Sequence, residues 1–175
     1  MEEYVDVLNE NGENIGEVIP KKEAHKKGIC HKVSVVIIID ADGKLLLQKR
    51  AMNKATEPGK WDLSAAGHVD AGETSEEAAI RETYEEIGIE VEKDELEKVL
   101  SYKYVYKISE DCIINHYTDL FLLRKDKIDI EKIKMQESEV SRIKMFSLKE
   151  YKELLENGET VEGTKYCTEI MKFMK

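Results

Sequence analysis

The sequence predicts one α/β or α+β sandwich, and three observations carry that expectation. At 175 residues with 41% hydrophobic content, the chain is the size that builds one core, so residues 1–175 are expected to form a single domain. Short β-branched runs punctuated by Asn-Gly and Asp-Gly occupy the first third, which is the pattern of hairpins. Segments with helical spacing and cap residues then interrupt and close the run of strands.

Taken in order, residues 4–8 and 15–19 flank the pair Asn11-Gly12, which suits the positive backbone dihedrals of a tight hairpin turn. The basic connector "PKKEAHKKGICH" has room for a short helix, so residues 1–30 read as an N-terminal hairpin and connector. The stretch "KVSVVIIIDADGKLLLQKR" forms a second hairpin about Asp42-Gly43. Its unbroken apolar run is the mark of a central strand buried on both faces. Two further strands are expected in "VLSYKYVYKI" and "IINHYTDLFLL", and another in "VSRIKMFS". In "SLKEYKELLENG" Ser147 caps a helix bearing Leu148, Tyr151, Leu154 and Leu155, and Gly158 ends it. A last helix is expected in "TKYCTEIMKFMK", where Tyr166, Ile170 and Phe173 repeat at helical spacing.

The formal charge of −10 speaks against a protein that coats a nucleic-acid polymer, which needs clustered Lys and Arg to displace counterions. Cys30, Cys112 and Cys167 are odd in number and lie in no CxxC spacing, so neither a disulfide framework nor a structural zinc site is expected. A reducing cytoplasm fits that usage. No apolar run approaches the roughly 18 residues of a membrane span, and the acidic start lacks the order of a signal peptide. No membrane partner is expected, and a homodimer is left open.

The segment "GHVDAGETSEEAAIRETYEEIGI", residues 67–89, is crowded with carboxylates and holds one guanidinium, Arg81. Thr74 and Glu77 form a capping-box pair and Gly88 suits a left-handed terminator, so a helix is expected over residues 75–87. At 100° per residue Ile80, Thr83, Tyr84 and Ile87 share one side, while Glu82, Glu85 and Glu86 gather opposite at i, i+3 and i+4. Like charges so spaced repel, and a hard divalent cation such as Mg2+ or Mn2+ would relieve them while leaving positions for phosphate oxygens and water. Ala78 and Ala79 would leave space for its approach. On the glutamates alone, a solvated acidic face is the commoner outcome. The fixed spacing around them changes the balance.

Gly67, five residues, Glu73, seven residues, Arg81-Glu82, two residues, Glu85-Glu86, one residue, Gly88 and Ile89 resemble the complete signature of the Nudix hydrolases. Thr83 alone departs, standing where that family carries an aliphatic residue. The resemblance implies an α/β/α sandwich with a mixed sheet. It implies cleavage of a nucleoside diphosphate linked to another group, or of a related small organic diphosphate. It also makes Glu82, Glu85 and Glu86 metal ligands, with the Gly67 carbonyl a further one, and assigns Arg81 and Glu73 to orienting the loop and carboxylates. A further carboxylate, as base or ligand, is sought late in the chain, where "QESEVSRIKMF" offers Glu137 and Glu139.

Beyond that signature the order of segments is similar to type I isopentenyl diphosphate isomerase, a branch of the same superfamily and the main rival reading. In that isomerase a cysteine and a downstream glutamate move a proton and histidines help hold a metal. His25, His31 and His68 stand at or near the matching positions. Ala66 occupies the cysteine position, and Asn115 and Tyr117 stand where carboxylates belong, so the resemblance favours hydrolysis. A non-catalytic nucleotide sensor is a second alternative, against which the intact carboxylates count. Trp61 and the alternating Tyr102, Tyr104 and Tyr106 could stack on a base; a lone Trp at a strand is more often core, and period-two aromatics suit a packed sheet face.

Overall fold

The computed structural model describes residues 2–54, 56–163 and 168–175. Strands β1 (Tyr4–Leu8) and β2 (Asn14–Pro20) pair antiparallel as a two-stranded sheet, and Lys21–Lys27 follow as the short helix α1. Their connection is longer than the expected two-residue turn. The Asn9 side chain accepts from the backbone N–H groups of Asn11 and Glu13, and Gly12 alone there takes a positive φ. An Asx-type side chain thus organises a five-residue loop, an alternative to the Asn-Gly turn that strand residues alone do not reveal.

Strand β3 (His31–Asp40) lies at the centre of a seven-stranded mixed sheet with β4 (Leu45–Arg50), β5 (Trp61–Asp62), β6 (Ala65–His68), β7 (Leu96–Ser109), β8 (Cys112–Lys125) and β9 (Val140–Phe146). Pairing is parallel between β3 and β8 and antiparallel elsewhere. The apolar run of β3 divides by parity between two cores. Val35, Ile37 and Ile39 pack with Leu47, Trp61, Leu122, Phe146 and Tyr151 on one face; Val36 and Ile38 pack with Leu46, Ala79, Ile87, Phe121 and Leu123 on the other. Helix α2 (Ser75–Ile87) contributes to the second core and helix α3 (Leu148–Glu156) to the first. Helices on both faces of the central strand make the α/β/α sandwich.

The expected C-terminal helix departs from expectation. Residues 168–172 form a 3-10 helix, while Tyr166 lies outside the described residues. Ile170 is buried there, so among the described residues the apolar spacing serves the core from a 3-10 helix.

The sheet splits where the site is built. β3 pairs with β4 only at Ile38 and Ile39, then with β6 over residues 33–36. Ser64 spans the divergence, its hydroxyl accepting from the Ile38 N–H at 2.8 Å and donating to the Leu46 carbonyl at 2.6 Å. Both backbone groups would otherwise lose their ladder partners in a buried place.

Candidate active site

Helix α2 is closed at both ends by its own sequence. Thr74 and Glu77 form the reciprocal capping box, and Gly88 adopts φ 66° with its N–H on the Tyr84 carbonyl. Its buried stripe is Ser75, Ala78, Ala79, Thr83, Glu86 and Ile87. Three expectations change accordingly, the first being that Glu86 lies in this buried stripe with Thr83 and Ile87 and not on the opposite side with Glu82 and Glu85. Tyr84 is 58% exposed and does not join the buried side. Ala78 and Ala79 are buried at 0% and 1%, so their small side chains admit the helix to the sheet rather than a ligand to the carboxylates. Thr83 is fully buried as expected, and its hydroxyl donates to the Ala79 carbonyl at 2.7 Å, which satisfies the polar atom that an aliphatic residue would lack.

Glu86 is the unusual member of the stripe: 8% exposed, its Oε2 accepts from the Gln48 amide at 2.8 Å and the Ala66 N–H at 3.0 Å. Both partners are neutral. Burial raises its pKa to about 8 against these hydrogen bonds, with the charges of Glu82 and Asp62 adding to the rise. Glu82 is also shifted up, chiefly by burial, with Arg81 opposing and Glu85 adding repulsion. Glu85 stands half exposed, 3.6 Å from the Arg81 guanidinium. The three carboxylates therefore share a neighbourhood but point differently: Glu86 into the sheet, Glu82 onto Arg81 at 2.6 Å, Glu85 outward.

Arg81 joins most of the remaining signature. Its fork takes both Glu73 oxygens at 2.9 and 2.8 Å, and the same guanidinium donates to the His68 carbonyl at 3.0 Å. Glu73 in turn accepts from the Asp70 N–H at 3.0 Å. The Glu73 bonds, then those of Glu82, hold the guanidinium proton above its ordinary affinity although burial opposes them. Such bidentate, charge-assisted pairs fix a loop in direction as well as distance.

Gly67 is required by contact rather than by φ, since a Cβ there would overlap the Glu82 carboxyl group. Gly67→Ala should displace Glu82, costing about 1–3 kcal/mol of stability by overpacking, and should weaken divalent-cation binding. Urea midpoints and calorimetry with Mn2+ on the one variant test both effects.

The remaining candidates separate. Glu139 pairs with Lys54 in the turn before β9, and that turn docks on α2 through the Gln136 N–H to Glu86 carbonyl bond of 2.9 Å. Glu137 is exposed. Trp61 is 6% exposed and packs edge-on against Phe146 at 4.8 Å, so it is part of the core. Tyr104 stacks with Tyr106 at 6.3 Å on the half-exposed face of β7. A cavity of about 320 Å³ lies between the N-terminal hairpin and the start of α2, lined by Glu73 but not by Glu82, Glu85 or Glu86. It contains Asp119, which sequence reasoning passed over. Burial works to raise the Asp119 pKa, but bonds from Lys98, Ser101 and Ser75 hold it below the usual carboxylate value, and it ties β8 to the start of α2.

The Nudix domain family matches residues 31–164. The chain belongs to the Nudix superfamily. This Nudix chain is 37% identical over 157 residues to Nudix hydrolase 3 of Arabidopsis thaliana, covering 88% of the chain but spanning only 20% of that plant protein. It is 33% identical over 161 residues to isopentenyl-diphosphate Delta-isomerase 2 of Photorhabdus laumondii, covering 92% of the chain and 86% of the isomerase. In fold it is similar to DR0079 of Deinococcus radiodurans, with a TM-score of 0.70, 22% identity and coverage of 97% and 98% of the two chains. No helix among the described residues of the Nudix chain is long and apolar enough to cross a membrane.

Proposed function

We propose that the chain is a divalent-metal-dependent hydrolase that cleaves the diphosphate linkage of a nucleoside diphosphate joined to another group, or of a related small organic diphosphate. The observation that carries this reading is Glu86, a carboxylate buried against neutral donors, with Glu85 next to it in the chain and Glu82 one turn back along the same helix. An anion so placed is destabilised until a cation approaches. Glu82, Glu85, Glu86 and the Gly67 carbonyl would supply the oxygen donors that suit a hard ion such as Mg2+ or Mn2+, with Glu82 and Glu85 turning from Arg81 toward it. When bound, such an ion supplies neutralisation of diphosphate charge and a water of lowered pKa.

The protein's own groups do the positioning. Gln48 and the Ala66 N–H hold one Glu86 oxygen, and the other would be the one to meet the ion. Arg81 orients Glu82 and, through the His68 carbonyl and Glu73, locks the loop that leads into α2. Glu139, held by Lys54 in a turn docked on α2, is the candidate general base. Tyr104 on β7 is the candidate contact for an aromatic leaving portion.

A screen of nucleoside triphosphates, ADP-ribose, dinucleotides, coenzyme A and prenyl diphosphates with Mg2+ and Mn2+ tests the reaction class. Metal-dependent release of a phosphate-containing product from at least one is expected, and uniform inactivity would refute hydrolysis. The isomerase relative makes a contrary outcome concrete. Residue 66 is an alanine whose N–H serves Glu86, and without a thiol no group there can pass the allylic proton. Isopentenyl and dimethylallyl diphosphates should therefore not interconvert. Isomerase turnover that follows the protein through purification would defeat the proposal.

A further inference from the structure

Four histidines from four elements meet on the sheet beside the glutamate site. His31 opens β3, the parallel register sets His116 of β8 beside it, and the antiparallel register sets His68 of β6 opposite Val33. The left-handed turn at Gly28 returns the chain so that His25 of α1 lies over them. The Gly28 carbonyl is held by the Asn115 amide at 2.8 Å. All six ring-centre separations fall between 4.7 and 5.7 Å, and one ring nitrogen from each histidine lies within 4.8 Å of the other three.

We propose that His25, His31, His68 and His116 form a second metal centre, a closed four-imidazole site for a borderline transition-metal ion such as Zn2+, separate from the oxygen-donor site of α2. Six nearly equal separations describe a tetrahedron. With metal–nitrogen bonds of about 2.0–2.1 Å, tetrahedral ligand nitrogens stand roughly 3.3 Å apart, and ring centres about 1.1 Å further out stand roughly 5.2 Å apart. The His25 Nε2 is 3.2 Å from His68 Nε2 and 3.5 Å from His116 Nε2, on either side of the first value. The ring centres surround the second.

The tautomers also suit ligation. His31 is fully buried, and its Nδ1 lies 2.8 Å from the Ile29 carbonyl, which fixes the proton on Nδ1 and leaves the lone pair on Nε2. That Nε2 is buried without a hydrogen-bond partner, an arrangement that a purely hydrogen-bonded histidine cluster does not explain. Burial lowers the proton affinity of all four rings, leaving neutral donors. Four nitrogens with no carboxylate favour Zn2+, Co2+ or Ni2+ over Mg2+, which requires oxygen ligands. The resemblance to the isomerase pointed to three of these histidines; His116 and the all-nitrogen donor set come from the structure. Such a site has no open position and is structural, clamping α1, β3, β6 and β8 together. It would steady the His68 carbonyl on which Arg81 rests.

The full chain, stripped with a chelator, is titrated with Co2+ while the visible spectrum and the melting temperature are followed. One equivalent should produce the intense absorption of tetrahedral Co2+ and raise the melting temperature, Zn2+ should bleach that absorption stoichiometrically, and excess Mg2+ should not. His116→Ala should lose the tetrahedral absorption and weaken binding at least a hundredfold, while Glu86→Gln keeps both. Absence of saturable tetrahedral Co2+ binding by the wild-type chain overturns the proposal whatever the variant does. Binding that is lost in Glu86→Gln and kept in His116→Ala overturns it equally, by placing the ion at the glutamates.

Discussion

Glu86→Gln should lower kcat by about 10²–10⁴, equivalent to roughly 3–5 kcal/mol, while making the metal-free protein more stable. The two effects have one origin. Glu86 is held in the sheet by neutral donors, with its pKa raised to about 8 by burial against an ordinary value of 4.5. Between those two values the folded protein keeps a proton that the unfolded chain has released. Proton uptake by the folded state makes stability fall as pH rises. The metal-free wild type should therefore lose about 3–5 kcal/mol between pH 4.5 and pH 8 from this group. Glutamine has no such proton and can offer its carbonyl oxygen to the same donors. The stabilisation by Glu86→Gln should accordingly be small at pH 5 and largest at pH 8, and Mn2+ should restore stability to the wild type alone. Urea midpoints at the two pH values, with and without Mn2+, decide this separately from kcat. A variant that keeps wild-type kcat under saturating metal would remove Glu86 from the reaction.

Arg81→Gln should cost both folding and catalysis. The guanidinium makes a bidentate pair with Glu73, a bond to Glu82 and a bond to the His68 carbonyl, so its removal strands two partly buried carboxylates and one carbonyl. With the Arg81 side chain 28% exposed, solvent will take up part of the loss, and a destabilisation of about 1–3 kcal/mol is expected. Activity should fall about 10–10³-fold, because Glu82 loses the donor that sets its direction and the loop before α2 loses its anchor. Arg81→Lys keeps the charge without the fork. If charge alone mattered, Lys would recover wild-type behaviour; the observed geometry requires Lys to remain deficient in kcat. Urea melts and steady-state kinetics on the two variants with an identified substrate make the comparison. Activity equal to wild type in Arg81→Gln would show that the arginine serves only the fold.

Local chemistry made α2 legible from the sequence. A capping box at Thr74 and Glu77 and a left-handed Gly88 act over three or four residues, and the helix begins and ends where they stand. The same holds for α3, capped by Ser147 and Glu150. The two-sided burial of β3 was legible because a run of β-branched residues without polar alternation has no solvent face. The carboxylate spacing of the Nudix signature is likewise a local property, set by 100° per residue.

What the spacing could not supply was the surroundings of each face. Angular position alone put Tyr84 with the buried residues and Ala78 and Ala79 at the ligand's side; the sheet decided otherwise, because only a small side chain allows α2 to come as close as it does. Glu86 was recognisable as a carboxylate in a signature, but its burial follows from Gln48 and Ala66, which are 38 and 20 residues away in the chain. His116 carried no local mark, since one histidine on an alternating strand reads as ordinary. It acquires a role when β8 pairs in parallel with β3 and places it beside His31, while β6 and α1 bring His68 and His25. Caps, turns and periodicities depend on neighbours a few residues apart, and the sequence determines them directly. The charge state of Glu86 and the meeting of four imidazoles depend on strand register and burial, which exist only once distant segments have packed.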